Sequence, residues 1–172
     1  MPLKQVSVRS SKDEIQGSDQ IPTQEAPMNV TVKPIKIWRK EVENRPGELA
    51  KTLEPLVAAG ADFQVLMGYR YPGNESRAAL EIYPVIGKKA TAAAAAAGLR
   101  AAEFPCLLVE GDNKPGVAQS IAKAIADAEI NMSFVVAQSI GKKYAAIFGF
   151  ENDADTRKAT AVIKRAAVGR KK

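Results

Sequence analysis

Two stretches of the sequence decide the fold: Asn44-Arg45-Pro46-Gly47 and Asn113-Lys114-Pro115-Gly116, which lie 69 residues apart. The offset persists on both sides of each tetrapeptide, because Ala61-Asp62-Phe63 returns as Ile130-Asn131-Met132 and Lys88-Lys89-Ala90-Thr91-Ala92 returns as Arg157-Lys158-Ala159-Thr160-Ala161. Internal repeats of this kind identify an architecture before any single element does. The chain therefore contains two copies of one unit of about 70 residues, which we call copy one and copy two.

The residue pattern of each copy predicts the order strand, helix, strand, strand, helix, strand. In copy one the residue pattern predicts a strand over 35–43, a helix from 46 to 59, a hairpin over 63–83, a second helix through the alanines 92–97 and a closing strand over 99–103. Asn44 is a natural helix-capping residue and Pro46 suits a first helical turn. The order predicts an α+β protein of two ferredoxin-like βαββαβ repeats, whose antiparallel sheets carry the helices on one face.

The two ends of the chain do not follow the repeat. Residues 1–34 are polar and predict a mobile N-terminal arm, which leaves 35–104 for copy one and 105–172 for copy two with its basic C-terminal tail. Copy two ends in residues that are too few and too charged for a fourth strand. An open sheet edge is a pairing hazard, so we expect residues 29–33, with Val30 and Val32, to occupy it.

Composition removes several classes of function. The chain has no histidine and one cysteine, Cys106, which excludes a catalytic triad with histidine, a cysteine–histidine pair and an internal disulfide. Nothing resembles a signal sequence or a membrane span, so we expect a cytoplasmic protein without a membrane partner. The net charge of +6 comes from residues 157–172, which hold seven basic and no acidic residues. We interpret that excess as a solubilising end rather than a phosphate-binding surface.

The doubled pattern resembles the ACT domain, a regulatory module that binds amino acids, and looks most like small stand-alone proteins with two such domains in tandem. The resemblance covers about residues 35–166. Copy two carries it through Asn113, Pro115, Gly116, Ala118, Ile121, Ile125, Ile130 and Asn131, and copy one through Asn44, Pro46, Gly47, Leu49, Leu56 and Asp62. The resemblance implies a non-enzymatic sensor without a cofactor or metal, which binds a small amino acid between ACT domains. Exposed sheet edges favour side-by-side pairing, either of the two copies within the chain or of two chains, so we expect a homodimer.

The resemblance also implies where the ligand binds: the first strand–helix loop and the start of the second strand. These positions are Asn44, Arg45, Pro46, Gly47 and Asp62 in copy one, and Asn113, Lys114, Pro115, Gly116 and Asn131 in copy two. Amides at a helix N-terminus attract a carboxylate, and glycine permits a close approach. A structural alternative is open: Asn44 and Asn113 only cap helices, and Asp62 and Asn131 are only turn residues. Between the copies we favour copy two, because neutral Asn131 suits a zwitterion.

Two further functions compete with the sensor. A regulatory subunit or protein-interaction module would act on a separate amino-acid biosynthetic enzyme without a ligand. The small subunits of acetohydroxyacid synthase are similar, but they show one ACT copy followed by an unlike domain. RNA-recognition folds share the strand order, yet the expected central strands offer few aromatic residues beyond Trp38 and Tyr83. We therefore expect no nucleic-acid partner.

Overall fold

The computed structural model describes residues 29–168 and confirms the α+β class, with two antiparallel four-stranded sheets and four helices in that range. The strands are β1 (Val30–Ile35), β2 (Trp38–Glu43), β3 (Val65–Tyr71), β4 (Asn74–Tyr83), β5 (Arg100–Ala101), β6 (Cys106–Asp112), β7 (Phe134–Ile140) and β8 (Lys143–Gly149). The helices are α1 (Glu48–Ala58), α2 (Lys88–Ala96), α3 (Val117–Ala126) and α4 (Asp153–Val168). Sheet 1 has the order β3-β4-β2-β5 and sheet 2 the order β1-β6-β8-β7.

The repeat appears in the elements themselves. Helices α1 and α3 begin 69 residues apart, and β3 and β7 both begin and end at that offset. Both hairpins turn through two residues, 72–73 and 141–142. The β3–β4 register shifts between Arg70 and Tyr71, so copy one carries a bulge that the β7–β8 ladder lacks. The longer hairpin of copy one thus comes from a bulge and not from a longer turn.

Strand β1 occupies the open edge of sheet 2, as expected from the missing fourth strand of copy two. It pairs antiparallel with β6 from Val30 opposite Gly111 to Ile35 opposite Cys106. Residues 30–34, which the sequence boundaries assigned to the arm, are therefore part of a strand. The rest of the predicted arm, residues 1–28, and the tail residues 169–172 lie outside the described residues.

The prediction of one continuous strand over residues 35–43 is wrong, because two strands share this stretch. Strand β1 ends at Ile35 and β2 begins at Trp38, so the chain crosses from sheet 2 to sheet 1 between them. At this crossing Ile37 is buried and its carbonyl accepts a hydrogen bond from the Ala102 amide at 2.8 Å. The apolar residues that suggested one strand are apolar because the crossing lies in the protein interior.

Each sheet has its helices on one face and turns its other face towards the second sheet. Helices α3 and α4 cover sheet 2 around Leu107, Ile121 and Ile163, and α1 and α2 cover sheet 1 around Leu56 and Ile82. Because side chains alternate along a strand, the opposite faces carry a different set. That set packs between the sheets: Ile35, Ile37, Val65, Cys106, Leu108 and Ile147.

Within residues 29–168 the two copies do not pair edge to edge, which corrects one of the two pairings expected from their exposed edges. The crossings place the sheets face to face, and β1 fills the edge of β6. Pairing between two chains stays a prediction. None of the helices at residues 29–168 combines the length and the apolar character that a bilayer crossing needs.

Candidate functional site

The two strand–helix loops, residues 44–47 (loop 1) and 113–116 (loop 2), have the same backbone form. Each ends in a glycine in the left-handed region at the start of its helix, Gly47 with φ +92° and Gly116 with φ +86°. Apart from the glycine and its two neighbours, no atom of residues 29–168 lies within 4 Å of a Cβ built on either glycine. Backbone conformation and not crowding therefore requires the glycine.

The two asparagines do not cap their helices, so the capping role expected from the sequence is wrong. Neither α1 nor α3 has a side-chain cap hydrogen bond. Instead Asn44 Nδ2 donates to the Glu75 carbonyl at 2.8 Å, and Asn113 Oδ1 accepts from Ser139 Oγ at 3.0 Å. The backbone amides of Asn44 and Asn113 also donate to the neighbouring hairpins. Each asparagine therefore holds its loop against the hairpin of its own copy.

The charges at the two loops differ. In loop 1, Arg45 forms ion pairs with Glu43 at 3.1 Å and with Glu48 at 3.0 Å. The hydrogen bond from Arg45 holds the pKa of Glu48 below its usual range, so this first-turn carboxylate is ionised. The first turn of α3 contains no acidic residue. A ligand carboxylate thus meets less repulsion at loop 2 than at loop 1.

All ten predicted site residues are exposed, including Pro46, Lys114 and Pro115. Asp62 and Asn131 precede β3 and β7, as the repeat predicts. Within residues 29–168, no hydrogen bond or ion pair connects Asp62 or Asn131 to the loop of its copy. The loops are therefore tied to hairpins, and a second surface is needed to enclose a ligand there.

Sequence reasoning missed a second polar site, which lies between the sheets and contains Arg39, Tyr69 and Glu81. Glu81 is 1% exposed and accepts a hydrogen bond from the Tyr69 hydroxyl at 2.7 Å. Burial, followed by this hydrogen bond, raises the pKa of Tyr69 to about 12. One signal in the sequence points to the site: a single glutamate inside the apolar run from Ala78 to Ile82.

No cluster of acidic and cysteine side chains at residues 29–168 has the geometry to hold a metal ion. In sequence, neither a family model nor a curated protein matches the chain.

Solved structures match the chain in fold. It is similar to the Bacteroides thetaiotaomicron protein BT0572, with a TM-score of 0.65 and 16% identity over 80% of this chain and 92% of that one. It is also similar to the ligand-free regulatory subunit of aspartate kinase from Thermus thermophilus, with a TM-score of 0.56 and 14% identity over 82% and 99% of the two chains. Aspartokinase alpha and beta subunits give a TM-score of 0.53 and 15% identity over 82% and 98%. The fold is therefore the ferredoxin-like ACT type.

Proposed function

We propose that the chain is a non-catalytic regulatory protein that binds a small amino acid at loop 2, at an interface between ACT domains. The observation that carries the proposal is the doubled loop: Gly47 and Gly116 give both copies the same open backbone at a helix start. Such a helix start attracts a carboxylate through its amides and dipole. A regulatory subunit of aspartate kinase shares the fold, which supports a regulatory role.

The exposure of the loops favours a homodimer as the functional unit. Small-molecule sites usually bury most of their ligand, and exposed loop 2 supplies only one wall. Strand β7 is an edge strand whose Val135, Val136 and Ile140 are 50%, 46% and 72% exposed. A second chain against this side would cover the apolar residues, and a ligand held between chains would shift the population towards the paired state.

The test is thermal unfolding in the presence of each of the twenty amino acids at millimolar concentration. A ligand at 100 times its Kd stabilises by about 2.7 kcal/mol, which raises Tm by several degrees in a chain of this size. We expect one or two related amino acids to raise Tm. Asn113→Ala and Asn131→Ala should abolish the shift.

Asn44→Ala is the matched control, because it removes the equivalent side chain of copy one and should keep the shift. A shift lost equally in Asn44→Ala and Asn113→Ala would contradict the preference for copy two. No shift with any amino acid would contradict ligand binding.

The alternative is a regulatory subunit or interaction module that acts on a separate biosynthetic enzyme without a ligand. The exposed apolar residues of β7 favour it equally, and aspartokinase alpha and beta subunits are among the proteins of similar fold. Light scattering and co-purification separate the two functions. A homodimer whose dissociation constant falls when an amino acid is added supports the sensor. A monomer that co-purifies with a large enzyme subunit supports the alternative.

A further inference from the structure

A cavity of about 780 Å³ opens between the sheets, away from both loops. Its volume lies within the range of about 300–1,000 Å³ that is usual for small-molecule sites. The walls are largely apolar, with Met67 from sheet 1, Phe134 and Val136 from sheet 2 and Phe104 from the segment that joins the sheets. The rings of Phe104 and Phe134 meet edge to face at 5.7 Å, which fixes this wall.

Glu81 places a carboxylate in this apolar cavity, and one of its two oxygens has no hydrogen-bond partner in the described residues. The side chain is 1% exposed, and its Oε1 accepts the hydrogen bond from Tyr69. Its Oε2 is buried and has no hydrogen-bond partner within residues 29–168. A buried carboxylate oxygen without a donor is costly, so Glu81 is an acceptor prepared for a donor that enters the cavity.

Arg39 supplies an unused donor beside it. Its Nε lies 3.7 Å from Glu81 Oε1, which is an ion-pair distance but too long for a hydrogen bond. This buried Nε also has no hydrogen-bond partner in the described part of the chain. A hydrogen bond from Nη2 to the Tyr71 hydroxyl and contacts of 5.8 Å to the rings of Tyr71 and Phe104 hold the guanidinium in place.

The pair Arg39–Glu81 offers one donor and one acceptor without hydrogen-bond partners, next to an apolar wall. An isolated amine would satisfy Glu81 and leave Arg39 Nε unpaired, and an isolated acid would do the reverse. A zwitterion carries an ammonium and a carboxylate on one carbon, and Arg39 Nε lies 3.7 Å from the Glu81 carboxylate, so a single ligand can supply a partner to both.

We propose that the cavity between the sheets is a binding site for an amino acid with an apolar side chain. Its ammonium donates to Glu81 Oε2, its carboxylate accepts from Arg39 Nε, and its side chain packs against Phe134 and Val136. The ligand class follows the proposed function, whereas the site is separate from loops 1 and 2. A bound amino acid would bridge the two sheets and fix their relative position.

The test is isothermal titration calorimetry on the full chain with L-leucine, L-methionine and L-phenylalanine. Glu81→Gln keeps the size of the side chain and removes the charge opposite the ammonium, so we expect an affinity at least about tenfold weaker. Glu54→Gln makes the same change at an exposed position of α1 and should bind as the unmodified chain does. Circular dichroism checks that both variants fold.

Two leucine analogues test the chemistry without any substitution. 4-Methylpentanoate lacks the ammonium and 3-methylbutylamine lacks the carboxylate, so both should bind at least about tenfold more weakly than leucine. An affinity for either analogue equal to that for leucine overturns the zwitterion site, and this result does not depend on how Glu81→Gln folds.

The variants separate this site from loop 2. Binding that is lost in Glu81→Gln and kept in Asn113→Ala supports the cavity. Binding that is kept in Glu81→Gln and lost in Asn113→Ala overturns the cavity and leaves the proposed function intact. Absence of binding by leucine, methionine and phenylalanine overturns the cavity, whereas the proposed function is overturned only if none of the twenty amino acids raises Tm.

Discussion

Cys106 shows how position sets the chemistry of a residue. Its side chain is 1% exposed, opposite Ile35 in the ladder between β1 and β6. Burial, with a smaller contribution from the Glu81 carboxylate, raises the pKa of the thiol to about 12. Because the thiolate is the reactive form, the folded chain presents an inert cysteine. The cysteine is thus a structural residue of the region between the sheets.

We predict that the Cys106 thiol is labelled by a disulfide reagent at pH 8 at least about 1,000-fold more slowly in the folded chain than in guanidinium chloride. A thiol with a pKa near 12 is almost wholly protonated at pH 8, whereas a free cysteine with a pKa of about 8.5 is about one quarter thiolate. Ala126→Cys adds an exposed thiol on α3 as an internal control. That variant should show one fast and one slow thiol, and two fast thiols would contradict the burial of Cys106.

Individual site residues were predictable in position but not in role. The repeat located Asn44 and Asn113 correctly, yet their hydrogen bonds go to the hairpins at Glu75 and Ser139 and not to the helix starts. Glu81 was missed because its role depends on the hydrogen bond from Tyr69. Tyr69 is twelve residues away in sequence and becomes a neighbour only when β3 pairs with β4. Local spacing identifies a loop, but not the contacts that arise when separate segments meet.

At the scale of elements, the close approach of β1 to β6 in sheet 2 requires a glycine at position 111. A Cβ at this position would lie 2.2 Å from the Asn29 carbonyl oxygen and 3.0 Å from Val30 Cα, which are backbone atoms that cannot rotate away. The repeat offset places Val42 at the equivalent position of copy one. In copy one the edge strand β5 pairs with β2 only at Trp38 and Arg39. Strand β5 therefore does not extend as far as Val42, and a side chain is accommodated there.

We predict that Gly111→Ala lowers the free energy of unfolding by about 1–3 kcal/mol, because the added methyl displaces β1 from β6. Gly68→Ala is the matched control in a strand, since its Cβ would meet only the flexible end of Leu80 at 3.3 Å. Urea denaturation measures both variants, and hydrogen exchange at residues 30–35 should lose protection only in Gly111→Ala. Equal stability of the two variants would contradict the steric role of Gly111.

The sequence predicted most elements and the use of residues 29–33 as an edge strand, because hydrophobic periodicity and the missing fourth strand are both visible in it. It predicted one strand over residues 35–43 where the structure has two. Ile35 and Ile37 are apolar in either arrangement, so periodicity cannot show where the chain leaves one sheet for the other. The bulge after Arg70 could not be predicted from periodicity either, because it depends on how β3 and β4 are aligned with each other.

At the scale of the whole molecule, the two copies share structure although the sequence repeat divides between residues 104 and 105. Sheet 2 takes β1 from residues that precede copy one. The crossings near Ile37 and Pro105 are hydrogen-bonded, with Ala102 donating to Ile37 and Phe150 donating to Pro105. An apolar layer from both sheets, including Val65 and Leu108, lies between them. From these connections we expect the copies to unfold as one cooperative unit, which an internal repeat alone does not imply.

We predict that a defect in the core of sheet 2 lowers the stability of sheet 1 by the same amount. Ile121→Ala removes a fully buried side chain of α3 and should cost about 2–5 kcal/mol. Trp38, the single tryptophan, is partly buried against the core of sheet 1 and reports on that sheet by fluorescence. Its urea midpoint should fall together with that of the far-UV circular dichroism. Leu56→Ala in α1, which packs on sheet 1, is the reciprocal variant. It should hasten Cys106 labelling, because a single transition that unfolds sheet 1 also exposes the region between the sheets. An unchanged Trp38 midpoint in Ile121→Ala, with a biphasic dichroism curve, would show that the sheets unfold independently despite the β1 crossing.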